Sequence, residues 1–290
     1  MSAELVESFR DTQRFLEDEL MRLVTCQAIQ NTKVYCEGFR HTVSEQNKAN
    51  FHLAQIEVIE DTTFAAAKRY ARLGKTAVLN FANPEIPGGG VVNGARAQEE
   101  CLCRSSNLYA CISAPDFFED YYLYNKNYRF YYTDRLIYTP GVIVFKNEES
   151  IPQYMPEEEW FQTDVITCAA PMMVYVRQVD EKELEKVLKS RIKNIFEVAV
   201  EHHVQNLILG AFGCGAFKNP PQLVAKAFQE VILENGYDGM FENIVFAIKK
   251  VCVVCPNLEA FQNAFAAMPK RALREREIRF RRWIKGFFPQ

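Results

Sequence analysis

Residues 76–112 read TAVLNFANPEIPGGGVVNGARAQEECLCRSSNLYACI, and the order of features along them decides the fold. Ala77, Val78 and Leu79 form an apolar run suited to a strand, which Asn83, Pro84, Pro87 and the triplet Gly88-Gly89-Gly90 break. Beyond the triplet Cys101, Leu102, Leu108, Tyr109 and Ile112 recur at helical spacing. A helix is therefore expected from about Gln98, with Glu99 and Glu100 in its first turn. Glycine has no Cβ, so the triplet can take positive φ and set backbone N–H groups against a ligand, a cradle for anionic or sugar groups. Each feature alone has an ordinary reading, as a flexible turn or as acids that complement the positive end of a helix dipole. Together they are more specific.

Outward from this stretch, Leu53–Ile59 reads as a strand and Thr62 as the cap of a helix that Gly74 ends. Strand, helix and strand then make a βαβ unit, which puts the glycine loop at the carboxyl end of its strand, where ligands bind in open α/β sheets. Downstream come a strand at Asp164–Ala169, a helix over 181–203 and a strand at Asn206–Leu209. A second glycine-rich loop follows at residues 210–220, GAFGCGAFKNP, and then a helix with Val224, Phe228, Val231 and Ile232 inward and Pro221 in its first turn. Lys33–Tyr35 is a short strand, and Leu136–Tyr138 and Val142–Phe145 are two strands joined at Pro140-Gly141. Residues 4–30 read as one amphipathic helix with Leu5, Phe9, Leu16, Leu20 and Leu23 on one face. The tyrosine-rich segment 121–132 is expected to pack on the sheet and line a cleft, residues 147–160 to form a surface loop, and His41 and His52 to lie at the surface.

Nearly half of the 290 residues are apolar, enough for a sizeable core, and a formal charge of −3 implies no global attraction to nucleic acid. Nine scattered cysteines and an N-terminus without an apolar leader read as a reduced, intracellular protein. Cys252 and Cys255 form a C-x-x-C with no second pair of ligands, so zinc is not expected. No run of 18 apolar residues occurs, hence no membrane span. The tail KRALREREIRFRRWIKGFFPQ carries eight basic residues against two Glu, with Phe280, Trp283, Ile284 and Phe287 on one helical face. It reads as a basic helix that docks on the fold or contacts polyanions.

Adjacent residues on a helix point about 100° apart, so Glu99 and Glu100 cannot flank a sugar ring from opposite faces. For glycosidic chemistry the consistent division is one acid/base and one positioner. Cys214, with no histidine near it in sequence, is a small residue that fits between glycines rather than a nucleophile.

Three glycines, seven residues and then Gln98-Glu99-Glu100 resemble the signature of the poly(ADP-ribose) glycohydrolases. The wording NFANPEIPGGGVVNGARAQEE is most similar to the bacterial-type, macrodomain-only branch, and the resemblance runs from about Lys33 to Cys255. It implies an α/β fold, a macrodomain-like three-layer α/β/α sandwich with a mixed sheet. Residues 1–50 would be an N-terminal helical accessory segment, 51–268 the core and 269–290 the basic C-terminal helix. It implies hydrolysis of the O-glycosidic ribose–ribose bond of poly(ADP-ribose), with attack expected from the chain end, ADP-ribose as product, the polymer or ADP-ribosylated proteins as substrate and no cofactor; no metal is expected either, because a lone carboxylate pair without His or further acids is thin coordination. By the same resemblance Glu100 is the acid/base, Glu99 holds a ribose hydroxyl or the leaving group, Gln98 supports them and Asn83 bonds the distal ribose. Gly88, Gly89, Gly90 and Val91 would touch substrate; Gly213, Cys214, Gly215, Ala216 and Asn219 would form the diphosphate loop; Phe217 would stack on the adenosine half. Two other readings stand beside this one: an ADP-ribose reader without hydrolysis, and a hydrolase of another ADP-ribosyl linkage on protein or nucleic acid. An intact glutamate pair argues against the reader, which needs no proton donor there.

Overall fold

The computed structural model describes residues 2–41, 53–176, 178–250 and 253–266. The expected basic helix at 269–290, His52 and Cys252 lie outside them. Seven strands form one mixed sheet: β1 (Lys33–Tyr35), β2 (Gln55–Ile59), β3 (Thr76–Phe81), β4 (Leu136–Val144), β5 (Phe161–Cys168), β6 (Asn206–Leu209) and β7 (Asn243–Ala247), in the order β1-β4-β5-β3-β6-β7-β2. Strands β5, β3, β6, β7 and β2 run parallel, while β4 is antiparallel to both β5 and β1. The sheet alternates its faces with a period of two. In β3, Ala77 and Leu79 pack toward α6 (Glu181–Glu201), α7 (Pro221–Asn235) and α8 (Pro256–Phe265), and Val78 toward α3 (Thr63–Tyr70) and α4 (Gln98–Ser105). These are the two outer layers of an α/β/α sandwich. The described residues contain no helix long and apolar enough to cross a membrane.

Three local expectations change. The N-terminal stretch is two helices, α1 (Ala3–Phe15) and α2 (Glu19–Asn31), because the Asp18 side chain accepts from the N–H groups of Leu20 and Met21 and restarts the chain. The new phase buries Met21 and Ala28 and leaves Leu20 and Leu23 exposed. Leu136–Val144 is a single strand, since Pro140, which has no N–H to give, and Gly141 sit in an irregularity between Thr139 and Val142. Gly141 N–H reaches Asp164 Oδ1 at 2.9 Å there. The helix opening at Gln98 stops at Ser105, because Ser106 bridges to Val144 and the Asn107 side chain accepts from Ile143 N–H at 3.0 Å. A short helix α5 (Leu108–Ile112) then follows.

The aromatic segment divides. Tyr121 and Tyr122 are buried against Ile137, whereas Tyr128 and Phe130 face solvent and none of the four lines the cleft described below. His41, expected at the surface, is 14% exposed, and its Nδ1 pairs with Glu201 at 2.5 Å.

Helix α1 is tied to the core by Lys146, whose buried ammonium donates to Ser8 O, Asp11 Oδ2 and Thr12 Oγ1 at 3.2, 2.7 and 2.9 Å. Thr12 in turn donates to Arg104 O at 2.6 Å, at the end of α4. On the other face Arg191 of α6 is fully buried and spans three segments, donating to Ala169 O at 2.7 Å, Tyr131 O at 2.7 Å and Asp134 Oδ1 at 3.2 Å. Replacing it with Met keeps its bulk and strands two carbonyls and a carboxylate. Arg191→Met is therefore expected to cost about 3–5 kcal/mol, read as a lower urea midpoint at unchanged m-value.

Candidate active site

The site forms where the carboxyl ends of the parallel strands meet the N-terminus of α4. Asn80 shares a face with Val78 and so points toward α4, where its Nδ2 donates to Glu99 Oε1 at 3.3 Å and to Thr167 Oγ1 at 3.2 Å. Gln98 locks the helix start to β3: its Oε1 accepts from Phe81 N–H at 2.8 Å, and its Nε2 donates to Leu79 O at 2.8 Å and Thr63 Oγ1 at 3.1 Å. Asn83 accepts at Oδ1 from the N–H groups of Glu85 and Ile86, at 2.9 and 3.0 Å, and so sets the turn that enters the glycine loop.

The glycine loop makes a backbone nest, with φ of 67° at Gly88 and 57° at Gly89. Its N–H groups are already taken. Gly88 N–H goes to Glu99, Gly89 N–H to Ile86 O at 3.0 Å, Gly90 N–H to Glu100 Oε1 at 2.9 Å and Val91 N–H to Gly88 O at 3.1 Å. The groups that occupy this nest are the protein's own pair of carboxyls. The loop thus holds the acids rather than offering an empty phosphate cradle.

The two acids differ in what they have left. Glu99 is 2% exposed and also accepts from Asn83 N–H at 2.7 Å, so both of its oxygens have donors, with Gly88 as a third. Glu100 is 7% exposed; its Oε1 is tied to Gly90, and its Oε2 is buried with no partner. Burial pushes the Glu99 carboxyl up to about 8 against the opposing hydrogen bonds, and the neighbouring Glu100 charge adds to the rise. A carboxyl raised on folding keeps its proton longer in the folded state than in the unfolded one. Its contribution to stability is full below about 4.5 and is lost as pH rises through about 8. Glu99→Gln is expected to flatten that decline, so melting temperature measured from pH 5 to 8.5 should separate variant from wild type increasingly toward the alkaline end.

The second loop is built differently. Cys214 N–H reaches Ala211 O at 3.1 Å, Lys218 N–H reaches Gly215 O at 3.3 Å and Asn219 N–H reaches Gly213 O at 3.0 Å. The N–H groups of Gly213, Gly215, Ala216 and Phe217 have no partner among the described residues. Free N–H groups ahead of the N-terminus of α7 suit a diphosphate. Asn219 is buried and clamps the loop, donating to Pro171 O at 2.7 Å and Gly213 O at 3.0 Å. Burial pushes the Cys214 thiol up to about 12, far from a thiolate nucleophile.

A cleft of about 420 Å³ runs between the loops. Of the residues singled out from sequence, Asn83, Gln98, Glu99, Glu100, Gly213, Gly215, Ala216 and Phe217 line it. Gly88, Gly89, Gly90, Val91, Cys214 and Asn219 adjoin these residues in the two loops and are not part of the lining. Sequence reasoning missed Thr62, Lys249 and Asn257, which line the cleft toward β2 and β7, and Glu148. Read as part of a surface loop, Glu148 instead accepts from Phe64 N–H at 2.7 Å and Ala65 N–H at 3.2 Å. It thereby does the capping expected of Thr62, whose side chain caps nothing directly. Asn80 carried a signal that went unread: a polar residue inside a buried strand needs a partner.

The sequence matches the family model of the microbial-type PARG (poly(ADP-ribose) glycohydrolase) catalytic domain over residues 10–147. A poly(ADP-ribose) glycohydrolase from Thermomonospora curvata is similar at 31% identity over 91% of this chain and 100% of that one, with a TM-score of 0.79. The same enzyme bound to the inhibitor ADP-HPD gives 32% identity, coverage of 91% and 100%, and a TM-score of 0.76. The enzyme from Deinococcus radiodurans in complex with ADP-ribose gives 32% identity, coverage of 84% and 97%, and a TM-score of 0.73. None of the curated proteins matches the chain.

Proposed function

The chain belongs to the bacterial poly(ADP-ribose) glycohydrolases, and from that premise we propose that it hydrolyses the ribose–ribose bond of poly(ADP-ribose) and releases ADP-ribose from the chain end. One observation carries the reading. Glu100 presents an unpartnered, buried carboxylate oxygen in a cleft whose opposite loop offers four free N–H groups.

In this mechanism the diphosphate lies on Gly213, Gly215, Ala216 and Phe217, with the Phe217 ring against the adenosine half. Asn83 meets the distal ribose, and Glu100 Oε2 faces the bond to be broken. Glu100 gives a proton to the leaving oxygen as positive charge develops at the anomeric carbon. The resulting carboxylate then takes a proton from the attacking water, so one group serves both steps. Glu99, held by Asn83, Asn80 and Gly88, keeps the helix start and the glycine loop in register. Residues 51–268 are the proposed core, with 1–50 and 269–290 as accessory segments. The edge strand β1, at Lys33–Tyr35, links the first segment to the sheet.

Purified protein incubated with poly(ADP-ribose) should release ADP-ribose from the first time point without intermediate oligomers, as read by anion-exchange chromatography. Tight binding of ADP-ribose with intact polymer would leave a reader. Release from protein conjugates alone would move the reading to another linkage.

A further inference from the structure

Past Ala170 the cleft opens onto an aromatic lip that the chemistry above does not use. After β5 the chain runs Pro171, Met172, Met173, Val174, Tyr175. Met173 N–H reaches Phe217 O at 2.8 Å, and Val176 N–H reaches Met173 O at 3.2 Å. The turn so closed has Val174 and Tyr175 at its corners, 46% and 72% exposed. Such corners are ordinarily glycine, asparagine, aspartate, serine or proline. Opposite, Met172 N–H reaches Phe130 O at 2.6 Å. Phe130 and Tyr132 both hold left-handed backbone, at φ of 65° and 52°, a conformation that costs a side chain free energy and persists only where the surroundings enforce it. The Tyr132 hydroxyl donates to Met172 Sδ at 3.8 Å, and burial together with the nearby Glu85 carboxylate, in the turn organised by Asn83, pushes that hydroxyl up. The lip therefore joins the second loop at Phe217, has Glu85 beside it, and follows directly in the chain from Ala170, which lines the cleft together with Asn83.

An exposed ring, a strained loop and a cation lie together here: Arg129, next to Phe130, is exposed and has no ion-pair partner among the described residues. We propose that this lip binds the polymer unit on the leaving side of the scissile bond, with Tyr175 and Phe130 as stacking platforms for its adenine and Arg129 facing its diphosphate. The inference rests on the hydrolase reading. The occupant is fixed by continuity with the cleft: a polymer whose end unit fills the space between the loops must leave past Asn83, and its next unit brings a π-face and two negative charges to that place. With its diphosphate on the second loop and its distal ribose at Asn83, as in the mechanism above, a single ADP-ribose ends short of the lip.

The test uses the full chain with Glu100→Gln, so that ligands survive, and compares a linear dimer of ADP-ribose units with ADP-ribose itself by calorimetry. Stacking of one base predicts that the dimer binds about 5- to 150-fold more tightly than the monomer. Adding Tyr175→Ser should erase that difference without changing the affinity for ADP-ribose, and Tyr175→Trp should restore it. Equal binding of dimer and monomer overturns the proposal, and so does an equal loss for both ligands on Tyr175→Ser. Because no turnover is involved, failure of wild type to digest polymer would count against the hydrolase reading alone.

Discussion

Glu100→Gln is expected to slow release of ADP-ribose from polymer by about 10²–10⁴-fold, the range for removing a general acid or base. The loss should sit at the upper end, because one carboxyl serves both proton transfers. The amide keeps an oxygen for Gly90 N–H, now 2.9 Å from Glu100 Oε1, so the loop retains its anchor and the fold its stability. Affinity for ADP-ribose should stay within a few-fold of wild type, since the diphosphate rests on the N–H groups of the other loop. Rate measured on end-labelled polymer and affinity measured by calorimetry must therefore part company. A variant that cleaves at the wild-type rate would remove Glu100 from the chemistry.

Gly89→Ala should have the next largest effect, for a different reason. A Cβ at that position would lie 2.6 Å from Glu100 Oε1 and 3.2 Å from Glu99 Oε2, so both acids must move. Displacing a catalytic group by about 1 Å costs on the order of 10²-fold in rate. The φ of +57° adds about 1–2 kcal/mol of backbone strain. Gly141→Ala is the matched control: its φ is +67°, but nothing lies within 4 Å of the added Cβ. It should lose similar stability and no activity. If both variants lose rate in proportion to stability, the crowding at the carboxylates is not what matters.

The parts of the site that were legible in the sequence are those written into short spacings. Strand, glycine triplet and Gln98-Glu99-Glu100 occupy one continuous stretch, and period-two and helical patterns placed β3, β6, α6 and α7 close to where they lie. What was not legible depends on partners far away in the chain. Glu148 reaches the start of α3 across more than 80 residues, and no local pattern announces that. Ser106 and Asn107 end α4 because Val144 and Ile143 compete for them, although the apolar spacing through Ile112 favours one long helix. The capture of the glycine loop's N–H groups by Glu99 and Glu100 is of the same kind. Sequence shows donors and acceptors a few residues apart, but only the fold decides that they satisfy each other.

That capture has a thermodynamic consequence. A loop already closed on its own side chains has surrendered its conformational freedom before any ligand arrives, so association need not freeze it. Encounter with ADP-ribose should then proceed in a single kinetic phase, with an observed rate linear in ligand concentration and no slow isomerisation behind it.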